Sequence, residues 1–166
     1  MRKRIIVGLV AAFLIGGVLT ASAQSVFASY NKAGQLNLYA SAGYGGYSTF
    51  GAAVSPELIM GAFTLGPIPL EWGLMATGVV NFLPGFGIGA GAMATLHMGV
   101  IWNLDFFIGA GLGATILPGF GIGLTQTAGV SYKLSSNLTV LAQDTYIGSF
   151  GASDLGVYGI GLRLNL

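Results

Sequence analysis

The chain contains no cysteine, so neither a disulfide framework nor a thiolate metal site is available to it. Charge is scarce as well. Only 7% of the 166 residues are Asp, Glu, Lys or Arg, against about 25% in ordinary soluble domains. So few charges cannot cover a water-facing surface. Proline is rare, at 5 residues, and the 29 glycines follow no three-residue period, which excludes a collagen-like helix. A single histidine, His97, offers little for imidazole-rich metal binding. What is present is 54% hydrophobic, a composition suited to lipid.

Half of the 6 basic residues stand at Arg2, Lys3 and Arg4. They precede an apolar run from Ile5 to Leu19 and then Ala21-Ser22-Ala23. This is the layout of a cleaved secretory signal peptide, placed at 1–23, with the mature domain at 24–166. The remaining bases, Lys32, Lys133 and Arg163, are outnumbered by the acids Glu57, Glu71, Asp105, Asp144 and Asp154. No basic patch is left to attract nucleic acid.

Lipid offers no partner to backbone amides, so only helices or a closed barrel can span it. A polytopic helical inner-membrane protein is the alternative that hydropathy alone favours. Periodicity points the other way. In Leu104–Gly113, the bulky residues Leu104, Phe106, Ile108 and Leu112 share the even places with Ala110, while Gly109, Gly111 and Gly113 hold odd ones. Tyr158, Ile160, Leu162, Leu164 and Leu166 alternate likewise with Gly159, Gly161, Arg163 and Asn165. A period of two puts alternate side chains on opposite faces of a strand. On a helix it would scatter glycine around every side, at about 1 kcal/mol for each interior glycine.

Eight strands are expected, at 35–44, 57–65, 70–82, 86–99, 102–114, 120–132, 138–147 and 155–166. The second has the weakest pattern, and its segment has an alternative start near Tyr47 with Pro56 at a bulge or edge. Short turns near Gly66-Pro67, Trp102-Asn103 and Lys133–Asn137 fall on one rim, and longer connections on the other. The heptapeptide LPGFGIG occurs at Leu83–Gly89 and again at Leu117–Gly123, starting 34 residues apart. That interval is one strand, a turn, the returning strand and a loop, so both copies leave the same rim.

This pattern, from Gln24 to Leu166, resembles the small eight-stranded outer-membrane barrels of diderm bacteria, of OmpA-like or OmpW-like kind. The resemblance implies a closed antiparallel up-and-down transmembrane barrel surrounded by outer-membrane lipid. It also implies that Gly161, Leu164 and Leu166 form a C-terminal signal read by the barrel-assembly machinery, although the usual terminal aromatic residue is replaced by Leu166. The OmpW-like likeness implies a narrow passage or cup for small, hydrophobic solutes.

With even places facing lipid, the odd places line the lumen. Near one rim the lining is mainly glycine, including Gly87, Gly89, Gly109, Gly111, Gly121 and Gly123. Near the other stand Glu71, His97, Asp105, Lys133 and Arg163. Charges buried in a barrel must pair, so these five are expected to form a polar plug beneath a roomier cup. The alternative is a packed interior in which Met93, Phe107 and Tyr39 lie across the axis. Asp144 falls in the outward set, either near the outer interface or turned inward by a bulge. Trp72, Trp102, Tyr132, Tyr146 and Tyr158 lie near strand ends, where interfacial aromatic girdles form.

Catalytic signals are weak. A lipid-modifying barrel enzyme would set His97 beside a serine and an acid, yet His97 falls among the charges at the other end from the outer rim. The Gly85-x-Gly87 run continues as strand, unlike a dinucleotide loop, which needs a following helix. Glu71 and Asp105 show no exposed cleft, and Asn137-Leu138-Thr139 reads as a chance glycosylation sequon. The expectation is a non-catalytic envelope barrel, structural or a narrow conduit, with no cofactor or metal.

Overall fold

A computed structural model describes residues 26–45, 50–83, 85–150 and 153–166; the expected signal segment lies outside them. The described residues form β1 (Leu36–Tyr44), β2 (Phe50–Leu65), β3 (Ile68–Leu83), β4 (Gly87–Val100), β5 (Leu104–Leu117), β6 (Gly121–Lys133), β7 (Leu138–Ile147) and β8 (Leu155–Asn165). Each strand pairs antiparallel with the next, and β8 pairs with β1, so the sheet closes on itself. Closure leaves no unpaired edge, the condition for a sheet to stand in hydrocarbon. No helix occurs among the described residues, which removes the helical inner-membrane alternative.

The period of two becomes inside and outside. Phe107 is 1% exposed in the lumen, while Ile108 beside it is 52% exposed on the outer wall. Leu112, Leu124 and Ile160 are also open on that wall, at 67%, 61% and 78%. An apolar belt of this extent is stable only against lipid.

The sequence pattern misplaced one element. β2 begins at Phe50 rather than at 57, close to the alternative start near Tyr47, and runs through Pro56. Pro56 pairs with Leu38 on β1, while toward β3 the register passes from Val54–Gly78 to Glu57–Met75. Proline contributes no N–H to a ladder, and that interruption hides the regular inward series Gly51, Ala53, Ser55 and Glu57. Register shifts between Phe50 and Gly51 and between Ile59 and Gly61 mark the irregularities instead.

The start of β1, the end of β8 and the links at 66–67, 101–103 and 134–137 lie at one end, called here the terminal end. The strand ends Tyr44 and Phe50, Leu83 and Gly87, Leu117 and Gly121, and Ile147 and Leu155 lie at the opposite loop end. Gly66 is the first residue of the two-residue link closed by Leu65–Ile68 and has φ +62°. A II′ hairpin turn puts glycine there for that reason. The described residues of both LPGFGIG copies sit at the loop end and lead into β4 and β6.

One feature had no counterpart in the sequence pattern. Residues 26–35 form a strap across the terminal end. Ala28 N donates to Gly99 O (3.0 Å), Ile101 N to Val26 O (2.8 Å) and Gly34 N to Ile59 O (2.8 Å). The strap lies so close to β4 that a Cβ at Gly99 would overlap the Ala28 carbonyl.

Candidate functional site

The chemically distinctive residues converge inside the barrel near its terminal end. They come from odd, inward positions of five strands: Asn37 and Tyr39 on β1, Glu57 on β2, Thr95 and His97 on β4, Asp105 on β5 and Arg163 on β8. All are at most 1% exposed. His97 stands between two carboxylates, with Nε2 2.8 Å from Glu57 Oε1 and Nδ1 3.1 Å from Asp105 Oδ2. Arg163 Nη1 donates to the same Asp105 Oδ2 at 2.8 Å. Tyr39 Oη donates to Glu57 Oε2 at 2.6 Å, Asn37 Nδ2 donates to that oxygen at 3.2 Å, and Thr95 Oγ1 donates to Oε1.

Neutral imidazole carries one N–H, whereas imidazolium donates from both nitrogens. A ring facing a carboxylate oxygen on each side satisfies both contacts as imidazolium. Two carboxylates then face one imidazolium and one guanidinium, and the cluster carries no net charge. That balance permits four ionic groups to be buried together, because removal of any one strands its partner. Phe107 stacks on the ring, with centroids 5.7 Å apart and planes at 24°, which holds the imidazole edge toward both acids.

Of the five residues expected to meet here, the structure joins three: His97, Asp105 and Arg163. Glu71 is buried but turned to the strap, where Asn31 donates to it through N (3.2 Å) and Nδ2 (2.5 Å) and Ser29 through Oγ. Lys133 is half-exposed at the end of β6 and takes part in none of the ion pairs among the described residues. Its length and its place at the strand end let the ammonium stay in water. Glu57 is the member the sequence pattern missed. Its signal was parity with Gly51, Ala53 and Ser55, which Pro56 obscured.

Above the cluster the lumen is filled in layers. Tyr39, Met75, Met93, Phe107 and Leu141 form one apolar group, and Ala53, Val79, Ile147, Leu155 and Val157 form another nearer the loop end. Hydroxyl and amide pairs belong to the same interior: Ser41 with Gln143 (2.7 Å), Ser55 with Thr77 (2.8 Å) and Thr127 with Thr145 (3.2 Å). The expected roomier cup is absent from the space over the described glycines. A Cβ at Gly89 would lie 3.0 Å from Leu155 and 3.1 Å from Ile147, and one at Gly109 would meet Met93 Sδ at 3.0 Å. At Gly87 it would press on Leu155, while at Gly111 and Gly123 it would overlap neighbouring backbone. Gly121 is buried at the start of β6. Missing side chains on one wall therefore admit bulky ones from the other.

Most of the remaining expected residues lie on the outer wall or at the strand ends. Gly161 is inward on β8, and Leu164 and Leu166 are exposed at its C-terminal end. Trp72, Trp102 and Tyr132 are near the terminal end, and Tyr44, Tyr146 and Tyr158 are near the loop end. Asp144 points outward from β7, whose register with β6 and β8 contains no bulge.

No protein-family model matches the chain, and no curated protein matches it. Solved structures do share its fold. The outer membrane enzyme PagL aligns with a TM-score of 0.63 at 12% identity, over 78% of this chain and 99% of that one. The N-terminal β-barrel domain of Pseudomonas aeruginosa OprF aligns at 0.57 and 15% identity, over 82% of this chain and all of that one. A de novo designed transmembrane β-barrel aligns at 0.58 and 18% identity, over 82% of this chain and 98% of that one. The chain is thus similar in fold to small outer-membrane barrels. An enzyme, a barrel domain and a designed scaffold all have this shape, so the fold alone assigns no activity.

Proposed function

We propose that this protein is a structural barrel of the bacterial outer membrane, non-catalytic and closed to solute flow. The observation that carries the proposal is the filled interior: strap, charged cluster and two apolar layers follow one another from the terminal end to the loop end. An eight-stranded barrel is just wide enough for side chains to fill, and here they do. The apolar outer wall fits surrounding lipid. The basic start, apolar run and Ala21-Ser22-Ala23 support export through a cleaved signal. Gly161, Leu164 and Leu166 at the end of β8 are the residues we assign to recognition by the barrel-assembly machinery.

Two other readings fit less well. A lipid-modifying enzyme needs a histidine free to take a proton from a nucleophile, but both nitrogens of His97 face carboxylates and its ring is fully buried. A cup for small hydrophobic solutes needs the space that Ile147 and Leu155 occupy. Single-channel recording of the purified protein in planar bilayers tests the proposal. Insertion without conductance steps is the expected result; reproducible unitary steps would overturn it.

A further inference from the structure

The eight strands close on one another along most of the sheet, but not beside the end of β4. The ladder between β3 and β4 stops at Glu71 and His97. Continuing that register sets Gly99 opposite Pro69, which has no N–H to give. Pro69 and Ile68 pair only with β2, at Thr64 and Leu65. Met98, Gly99 and Val100 therefore pair with β5 on one side and present an edge to the strap on the other.

The strap occupies that edge as an extended segment. Phe27 bridges antiparallel to Val100, between the bonds from Ala28 N to Gly99 O and from Ile101 N to Val26 O. The chain then crosses to Glu71, whose hydrogen-bond donors among the described residues all belong to the strap: Ser29 Oγ, Asn31 N and Asn31 Nδ2. Between them, Tyr30 Oη donates to Val100 O and accepts from Asn103 N at 3.2 Å. Gly99 is what admits the strap, since a Cβ there would overlap the Ala28 carbonyl and press on the Tyr30 ring. Lys32, Ala33 and Gly34 follow as an exposed link to β1.

We infer that the β4 edge and Glu71 form a peptide-binding slot, and that residues 26–31 are its resident, exchangeable ligand. A strand edge takes extended backbone through main-chain hydrogen bonds, and side-chain positions supply the selectivity. Here the selected pattern is a tyrosine that reaches the 101–103 turn, with hydroxyl and amide donors on either side of it for Glu71. Barrel closure runs through β1 and β8 and uses none of these bonds. The strap can therefore leave, or give way to another extended peptide of this pattern, without opening the sheet. The inference goes beyond the structural role proposed above and does not depend on whether the lumen conducts.

The test cuts the strap loose in the folded protein. In the full exported chain carrying Lys133→Gln, Lys32 is the only exposed tryptic site among the described residues, because Arg163 is buried. After trypsin treatment in lipid nanodiscs, the segment ending at Lys32 is expected to remain bound through washing and to be displaced by excess labelled peptide VFASYNK. Gly99→Val is expected to abolish uptake of that peptide. Glu71→Ala is expected to weaken it about tenfold or more, the loss that follows when hydrogen bonds to a carboxylate are removed. Heat-modifiable gel migration checks that each variant still forms a barrel. A peptide carrying Ser29→Ala and Asn31→Ala makes the same comparison on the unaltered slot, and it is expected to bind about tenfold more weakly or worse. A folded chain that trypsin leaves whole at Lys32, or a barrel that unfolds once its strap is released, would overturn the inference. So would uptake of VFASYNK no better than of a scrambled sequence, or uptake unchanged by the Glu71, Gly99 and peptide substitutions.

Discussion

The two ends of the lumen use the same strands and the same alternation, yet they are filled by opposite means. At the terminal end, large polar side chains from five strands meet on the axis and must satisfy one another. At the loop end, glycines on β4 and β5 clear space that Ile147 and Leu155 enter from β7 and β8. The first solution depends on a complete set of partners. The second depends on shape, and each side chain can be trimmed with a graded result. The contrast shows that a narrow barrel is closed either by reciprocity of charge or by complementarity of volume.

Substitutions at each end separate these two modes. The largest effect is expected at the charged end. Arg163→Met leaves Asp105 without its guanidinium and is expected to cost about 3–5 kcal/mol, read from urea unfolding in vesicles. Replacing Glu57, His97, Asp105 and Arg163 together with apolar residues of similar volume should cost less than that single change, since no charge is stranded. A quadruple variant less stable than Arg163→Met would break the comparison.

At the loop end, Leu155→Ala is expected to cost about 2–5 kcal/mol through the cavity it leaves. It should also leave ion flux at the vesicle background, because the charged cluster still closes the other end. Gly89→Val adds volume where Leu155 and Ile147 already sit, and about 1–3 kcal/mol is expected. In the Leu155→Ala background that penalty should shrink, a coupling that a double-mutant cycle measures. The smallest effect is expected outside both regions. Gly66→Ala, at a positive φ, should cost about 1 kcal/mol and leave the lumen unchanged.

Much of the architecture was legible in the chain because lipid imposes a simple rule. Seven strands followed from alternation alone, since glycine and bulky residues mark the two faces plainly in β4, β5 and β8. The packing of Tyr39, Met93 and Phe107 across the axis was readable as one of two options, because parity fixes direction but not how far a side chain reaches. β2 was shortened because a proline within a strand reads as a boundary. Glu57 became the first residue of the shortened strand, cut off from the inward series Gly51, Ala53 and Ser55, and so the partner of His97 Nε2 was not foreseen. Glu71 and Lys133 share the cluster's end of the barrel, but height along the strand and the presence of a strap decide their partners. Strap residues such as Ser29 and Asn31 show no periodicity, so nothing local announced that they would reach Glu71. Filling of the loop end depended on which side chains on β7 and β8 face the glycines of β4 and β5, a matter of cross-barrel register.

A dry, filled interior is what distinguishes a closed barrel from a conduit. Met93, 4% exposed at mid-lumen, is the position that reports on it, and Met93→Cys supplies the sole thiol in the chain. Treated with a charged, water-soluble thiol reagent from both sides of the vesicle, the folded protein is expected to stay unlabelled until urea unfolds it. Rapid labelling of the folded barrel would contradict the account.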